Sequence, residues 1–116
     1  MILKIGNNLI NIMVQIIKIE RSNRLTKRFK VILDNGQEFH FGQEFADNTH
    51  PITYIDGASK EKRDNYLNRH LGNRIEANLI QNLIPSPSLF SFYILWNTNS
   101  LNENVKILNK LFNSRR

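Results

Sequence analysis

Apolar residues recur at every second position through the first third of the chain and at every third or fourth position through the second half. The first period predicts strands and the second helices. Val14 to Glu20, rich in Ile, reads as a first strand, and Lys27 to Leu33 as a second with Phe29, Val31 and Leu33 on one face. The polar connection Arg21-Ser22-Asn23-Arg24-Leu25-Thr26 has hairpin length. Asp34-Asn35-Gly36 then turns the chain into a third strand, Gln37 to Phe41.

The register of that last turn follows from side-chain parity. A two-residue Asn35-Gly36 turn would set Phe39 opposite Ile32 and put Phe29, Val31 and Leu33 on the face of Glu38 and His40. A three-residue loop with Gly36 left-handed in a bulge sets Leu33 against Gln37, Val31 against Phe39 and Phe29 against Phe41. Only the second gives one apolar face, so the bulged register is expected.

Gly42 to Gly57 has little periodicity and reads as a long irregular loop, a length that is often functional. Ser59 caps a helix from Lys60 to about Leu71, with Arg63, Tyr66, Leu67, His70 and Leu71 along one side. Arg74 to Ile84 reads as a second helix on a stripe of Ile75, Leu79 and Leu83, with Ile80 and Ile84 beside it, stopped by Pro85. Ser86-Pro87 is a cap followed by proline at the first helical position, and it opens Ser88 to Asn97, a segment apolar on every side that holds the chain's one Trp. Rings of that size must be enclosed, so Tyr93 and Trp96 are expected in the core rather than in a ligand pocket. Ser100 and Glu103 form a capping box for a last helix whose buried stripe is Leu101, Val105, Leu108 and Phe112.

The pattern therefore predicts an α+β fold: an N-terminal antiparallel three-stranded meander packed against a C-terminal half of three to four helices. At 116 residues, 41% of them hydrophobic and 22% charged, the chain suits one globular domain, which we place at 13–113. Residues 1–12 are read as an extension, with Met13 as a second start, and 114–116 as a basic tail. Met1 to Ile17 resembles a hydrophobic leader, but Lys4, Asn7, Asn8, Asn11 and Gln15 interrupt it and no small-residue cleavage site follows. No run is apolar enough for a membrane span. Cys is absent, which removes disulfides, thiolate nucleophiles and thiolate metal sites.

The net charge of +6 points to anionic partners, nucleic acid or an acidic protein surface. It is unevenly spread. Cations cluster between Lys18 and Lys30, residues 31 to 59 are acidic, and positive charge returns at Lys60, Lys62, Arg63, Arg69 and Arg74. Arg21, Arg24, Lys27, Arg28 and Lys30 are expected to form one surface with Lys60, Lys62 and Arg63, because phosphate contacts require only positioned cations. Reversing Arg24, Lys27 and Arg28 is expected to abolish binding and spare the fold. The competing reading is a charged sheet edge that discourages strand addition. Of His40, His50 and His70, no two have the i, i+4 spacing with which a helix grips a metal, and a folded zinc site would need Asp47 or Asp56 as well. No phosphate loop or nucleophile elbow is present, so a non-enzymatic protein without cofactor or metal is expected.

Lys27-Arg28-Phe29-Lys30, Phe41-Gly42, Tyr54-Ile55-Asp56, Lys60-Glu61-Lys62-Arg63 with Tyr66 and Arg69-His70, then Tyr93-Ile94-Leu95-Trp96, Ser100-Leu101 and Asn109-Lys110 follow one another in order. This succession, over residues 14 to 113, resembles a family of small uncharacterised proteins of nucleocytoplasmic large DNA viruses. The chain departs from that pattern between His70 and the aromatic helix, where Ile75 to Ile84 replaces a second Trp-containing turn. The resemblance marks Tyr66, Arg69, His70 and Trp96 as motif positions of unassigned role. It implies a viral setting, in host cytoplasm, viral factory or virion, and supplies no mechanism. The function expected is a virion- or replication-associated protein that contacts nucleic acid or an acidic partner through a basic face. The alternative is a minor structural protein of the capsid shell, bound to capsid proteins through an exposed apolar patch.

Overall fold

The structure, a computed structural model, describes Leu3–Ile5, Asn8–Ile10 and residues 14–114. Met13 and the Arg115-Arg116 tail lie outside the described residues. Within the stretch read as an extension, β1 (Leu3–Ile5) pairs antiparallel with β2 (Asn8–Ile10) in a sheet of their own. The main sheet is an antiparallel meander of β3 (Ile16–Arg21), β4 (Lys27–Leu33) and β5 (Glu38–Gln43). After it come a 3₁₀ turn (Tyr54–Asp56), α1 (Lys60–Leu71), α2 (Arg74–Gln81), α3 (Pro87–Phe90) and α4 (Leu101–Asn113). The α+β fold is as the periodicity predicts.

The β4–β5 register is the bulged one: Phe29 faces Phe41 and Val31 faces Phe39. Gly36 sits at φ 88°, and Leu33 N–H donates to Gln37 O at 2.9 Å. Val31, Leu33 and Phe41 are fully buried in consequence, against Leu89, Phe90, Ile94 and Leu95 from the aromatic segment and Leu108 and Phe112 from α4. Each such side chain contributes roughly 1.5–3 kcal/mol by leaving water, so this layer dominates the stability of the fold.

β3 differs from its sequence reading by a bulge at Ile17, where the register slips between Ile16 and Lys18. The extra residue turns both Ile16 and Ile19 toward the core and leaves Ile17 64% exposed. The α4 side chain of Asn109 occupies the irregularity: its Oδ1 accepts from Ile16 N–H at 2.7 Å and its Nδ2 donates to Ile16 O at 3.1 Å. A helix is thereby bonded to the backbone of an edge strand, which blocks strand addition at the Ile16 end of that edge.

The aromatic segment does not continue as a regular α-helix. After Phe90 it widens into a π-helical turn, Ser91–Leu95, with Phe92, Ile94, Leu95 and Trp96 buried. Fully buried Asn104 closes the end of this turn, donating to Ile94 O (2.8 Å) and Thr98 O (3.0 Å) and accepting from the Thr98 N–H and hydroxyl. Tyr93, expected in the core, is only half-buried. At α4, Ser100 Oγ accepts from Glu103 N–H at 3.2 Å, and the Ser100 N–H goes to Thr98 Oγ1.

α2 is shorter than its apolar spacing suggests and buries a different side. Ile80 is enclosed while Ile75 is 74% exposed. The helix stops at Gln81 because Leu83 turns left-handed (φ 53°), with Leu83 N–H on Ile80 O and Ile84 N–H on Leu79 O.

Two left-handed glycines have different surroundings, and substitution separates them. A Cβ on Gly36 would meet nothing within 4 Å, whereas on Gly42 (φ 79°) it would lie 3.1 Å from Arg28 Cβ and 3.3 Å from Leu95 Cδ1. Gly36→Ala is expected to cost about 1–2 kcal/mol from backbone strain alone. Gly42→Ala is expected to cost about 1–3 kcal/mol more by overpacking. Urea unfolding of both variants checks this, and equal losses would count against the close approach at Gly42.

Candidate nucleic-acid interface

The loop after β5 is irregular only in part. Phe45 and Thr49 close a short turn, and the 3₁₀ turn then brings Asp56 back to the sheet. Arg28 of β4 meets the Asp56 carboxylate with two bonds, 2.7 and 2.6 Å, and Asp56 Oδ2 also accepts from the Thr53 N–H (3.0 Å) and hydroxyl (2.8 Å). His50 Nδ1 is 3.7 Å from the same oxygen. Burial alone would raise the Asp56 pKa; the Arg28 and Thr53 bonds outweigh it and hold the group at about 2. One carboxylate thus ties the end of the loop to the sheet.

The wall facing the loop is α1. Arg63 Nε donates to the Trp96 and Asn97 carbonyls at 3.1 and 2.9 Å, satisfying the end of the widened helix. Three residues on, Tyr66 stacks on Trp96 with centroids 4.3 Å apart and planes 11° from parallel. His70 lies against the Tyr66 ring at 4.0 Å, and the Arg69 guanidinium is 5.7 Å from its centroid. His70 in turn meets Glu76 of α2 at 2.8 Å. Burial, with the Glu76 charge added, pushes the Tyr66 hydroxyl up to about 12, so the ring serves as a neutral surface.

Between these walls lies a cleft of about 470 Å³. Pro51, Ile52 and Thr53 form its loop side, Lys62, Asn65, Tyr66 and Arg69 its helix side, and Ser91, Leu95 and Trp96 its floor. Trp96 is 6% exposed and belongs both to the core and to this floor. A second hollow of about 430 Å³ shares Gly42, Gln43, Tyr66 and Ser91 with the first and continues past Lys27 toward His70, Glu76 and Ser88.

The eight cations expected to form one surface divide into two sets. Four are held by internal partners: Arg21 by Glu44 (3.1 Å), Arg28 by Asp56, Lys30 between Glu20 and Glu38 (3.1 and 3.2 Å), and Arg63 by two carbonyls and Asp64. Lys30 is raised above the ordinary lysine range by its bonds to Glu20 and Glu38. Arg24, Lys27, Lys60 and Lys62 have no carboxylate within ion-pair distance among the described residues. The same holds for Arg69, marked in the sequence only as a motif position. Lys62 and Arg69 face the first hollow and Lys27 the second. Arg24 and Lys27 add their fields at His40, whose pKa is lowered first by burial and then by Arg24. Arg28 is therefore a structural residue, and reversing it with Arg24 and Lys27 would unpin the loop.

Gln43, Pro51, Ile52, Asn65 and Ser91 line the cleft without having stood out in the sequence. Polar or isolated apolar residues in a loop carry no periodicity, and the one signal available was Gly42, a glycine inside a strand. Among the described residues no group of three or more His, Cys, Asp or Glu could hold a metal ion, and no helix is long and apolar enough to cross a membrane.

The sheet, the loop and α1 define an α+β protein with an aromatic-floored cleft lined by both apolar and polar side chains. Residues 17–70, from β3 through most of α1, match the model of DUF5754, a family of unknown function. That agrees with the resemblance to an uncharacterised family, and the description carries no viral attribution. No curated protein and no solved structure matches the chain.

The Asp56 bonds give a pH dependence of definite sign. Its pKa is depressed in the folded state, so its contribution is complete above the ordinary value of 3.8 and is lost as pH falls through about 2. With its side chain 16% exposed, that contribution is on the order of 1–2 kcal/mol after solvent screening. Urea unfolding through this window should show the wild type losing that much more than Asp56→Asn; parallel curves would refute the assignment.

Proposed function

We propose that this is a non-enzymatic nucleic-acid-binding protein whose contact surface is the cleft between α1 and the loop after β5. The observation that carries the reading is the division of the cations. Arg21, Arg28 and Lys30 are neutralised within the fold, Arg28 at the cleft wall itself, whereas Lys27, Lys62 and Arg69 line the connected hollows without a carboxylate partner among the described residues. Unpaired cations around a concavity focus a positive field there and favour a polyanion. The resemblance of the chain's motifs to proteins of large DNA viruses supports a virion- or replication-associated role.

Binding of a labelled mixed-sequence oligonucleotide should be detectable at low salt and should weaken linearly in log affinity against log salt, by about 0.7–0.9 per phosphate neutralised. Lys27→Glu/Lys62→Glu/Arg69→Glu is expected to abolish it and to leave the melting temperature close to that of the wild type, since Lys62 and Arg69 are exposed, Lys27 is only part-buried, and none of the three has an ion-pair partner to lose among the described residues. Lys106→Glu/Lys110→Glu, on α4, is expected to bind nearly as wild type. No binding at low salt, or equal binding by all three proteins, would overturn the reading.

A further inference from the structure

We infer that the larger hollow seats one unstacked nucleotide, so that the nucleic acid this protein takes is single-stranded. The inference rests on the reading just given and narrows it. Its first ground is shape. A cleft of about 470 Å³ lies within the range of sites that enclose small molecules, roughly 300–1,000 Å³. A duplex is a convex rod with its bases paired inside, and it presents only phosphates to such a concavity; a splayed base can enter it.

The second ground is the composition of the walls. Lys62 and Arg69 suit a phosphate, but a phosphate alone would leave the half-buried Pro51 and the exposed Ile52 without an apolar partner. A nucleotide uses both sides, its base against the apolar wall and its phosphate on the cations. Ile52 is 50% exposed at this wall, apolar surface that a planar base would cover. The Gln43 and Asn65 amides offer both donors and acceptors to a base edge. Asp56 does not repel the ligand, because its oxygens are engaged by Arg28 and Thr53. The shared Gly42–Gln43 floor lets the strand continue into the second hollow toward Lys27, where Glu76 is occupied by His70.

The test compares a fluorescein-labelled mixed-sequence single strand, as DNA and as RNA, with the same strand annealed to its complement, at one salt concentration. At least one single strand is expected to bind about tenfold more tightly than its duplex. That strand should also quench the emission of Trp96, the chain's one tryptophan. Ile52→Ser should remove most of this preference while duplex affinity and its salt dependence stay unchanged. Equal, salt-dependent binding of single and double strands would overturn the inference and leave the basic surface standing. Binding of neither would overturn both.

Discussion

The Asp56 carboxylate is the point on which the cleft depends. Two bonds from Arg28 and two from Thr53 converge on it, so the end of a largely irregular loop is tied to the sheet. The same contacts decide which cations are available. Arg28, central in the basic run of the hairpin, is consumed by the architecture, and Lys30 and Arg21 are consumed by Glu20, Glu38 and Glu44. A polarised charge distribution along the chain thus becomes, in three dimensions, a sheet whose Arg21, Arg28 and Lys30 are neutralised and a cleft that keeps Lys62 and Arg69 unpaired.

The opposite wall is fixed by stacking and by carbonyl capture. Arg63 bonds the carbonyls at the end of the π-turn, which sets α1 at the height where Tyr66 lies flat on Trp96. Asn104 holds the turn from behind, and Asn109 ties α4 to the bulged edge of β3. Each of these side chains satisfies backbone groups that an irregular segment leaves open, and no buried side-chain polar atom among the described residues lacks a partner. The widened turn and the bulge are therefore tolerated at little cost.

Much of the fold was legible because it follows from local periodicity. The choice between two registers at Gly36 could be made on the parity of Phe29, Val31, Phe39 and Phe41, and the Ser59 and Ser86 caps marked two helix starts. What escaped the sequence depends on distant partners. Asn104 and Asn109 look like any other Asn in an Asn-rich chain, yet one is fully buried and the other bonds a strand ninety-three residues away. Ile75 fits the stripe of α2 as well as Ile80 does, and only the packing chooses between them. The cleft was half visible: Lys27, Lys62, Tyr66, Arg69 and Trp96 were singled out, but that Arg28 would be withdrawn by a carboxylate twenty-eight residues on was not.

The central claim is that fold-neutralised cations are structural and the unpartnered ones around the cleft make the contact. The most direct measurement is a map of amide chemical-shift changes on isotope-labelled protein during titration with a single-stranded oligonucleotide at low salt. The account predicts changes concentrated at Gln43, Ile52, Lys62, Tyr66 and Arg69, with Lys18, Glu20, Lys30 and Glu38 unmoved. Changes centred on the outer face around Lys30, or spread evenly over all basic residues, would contradict it.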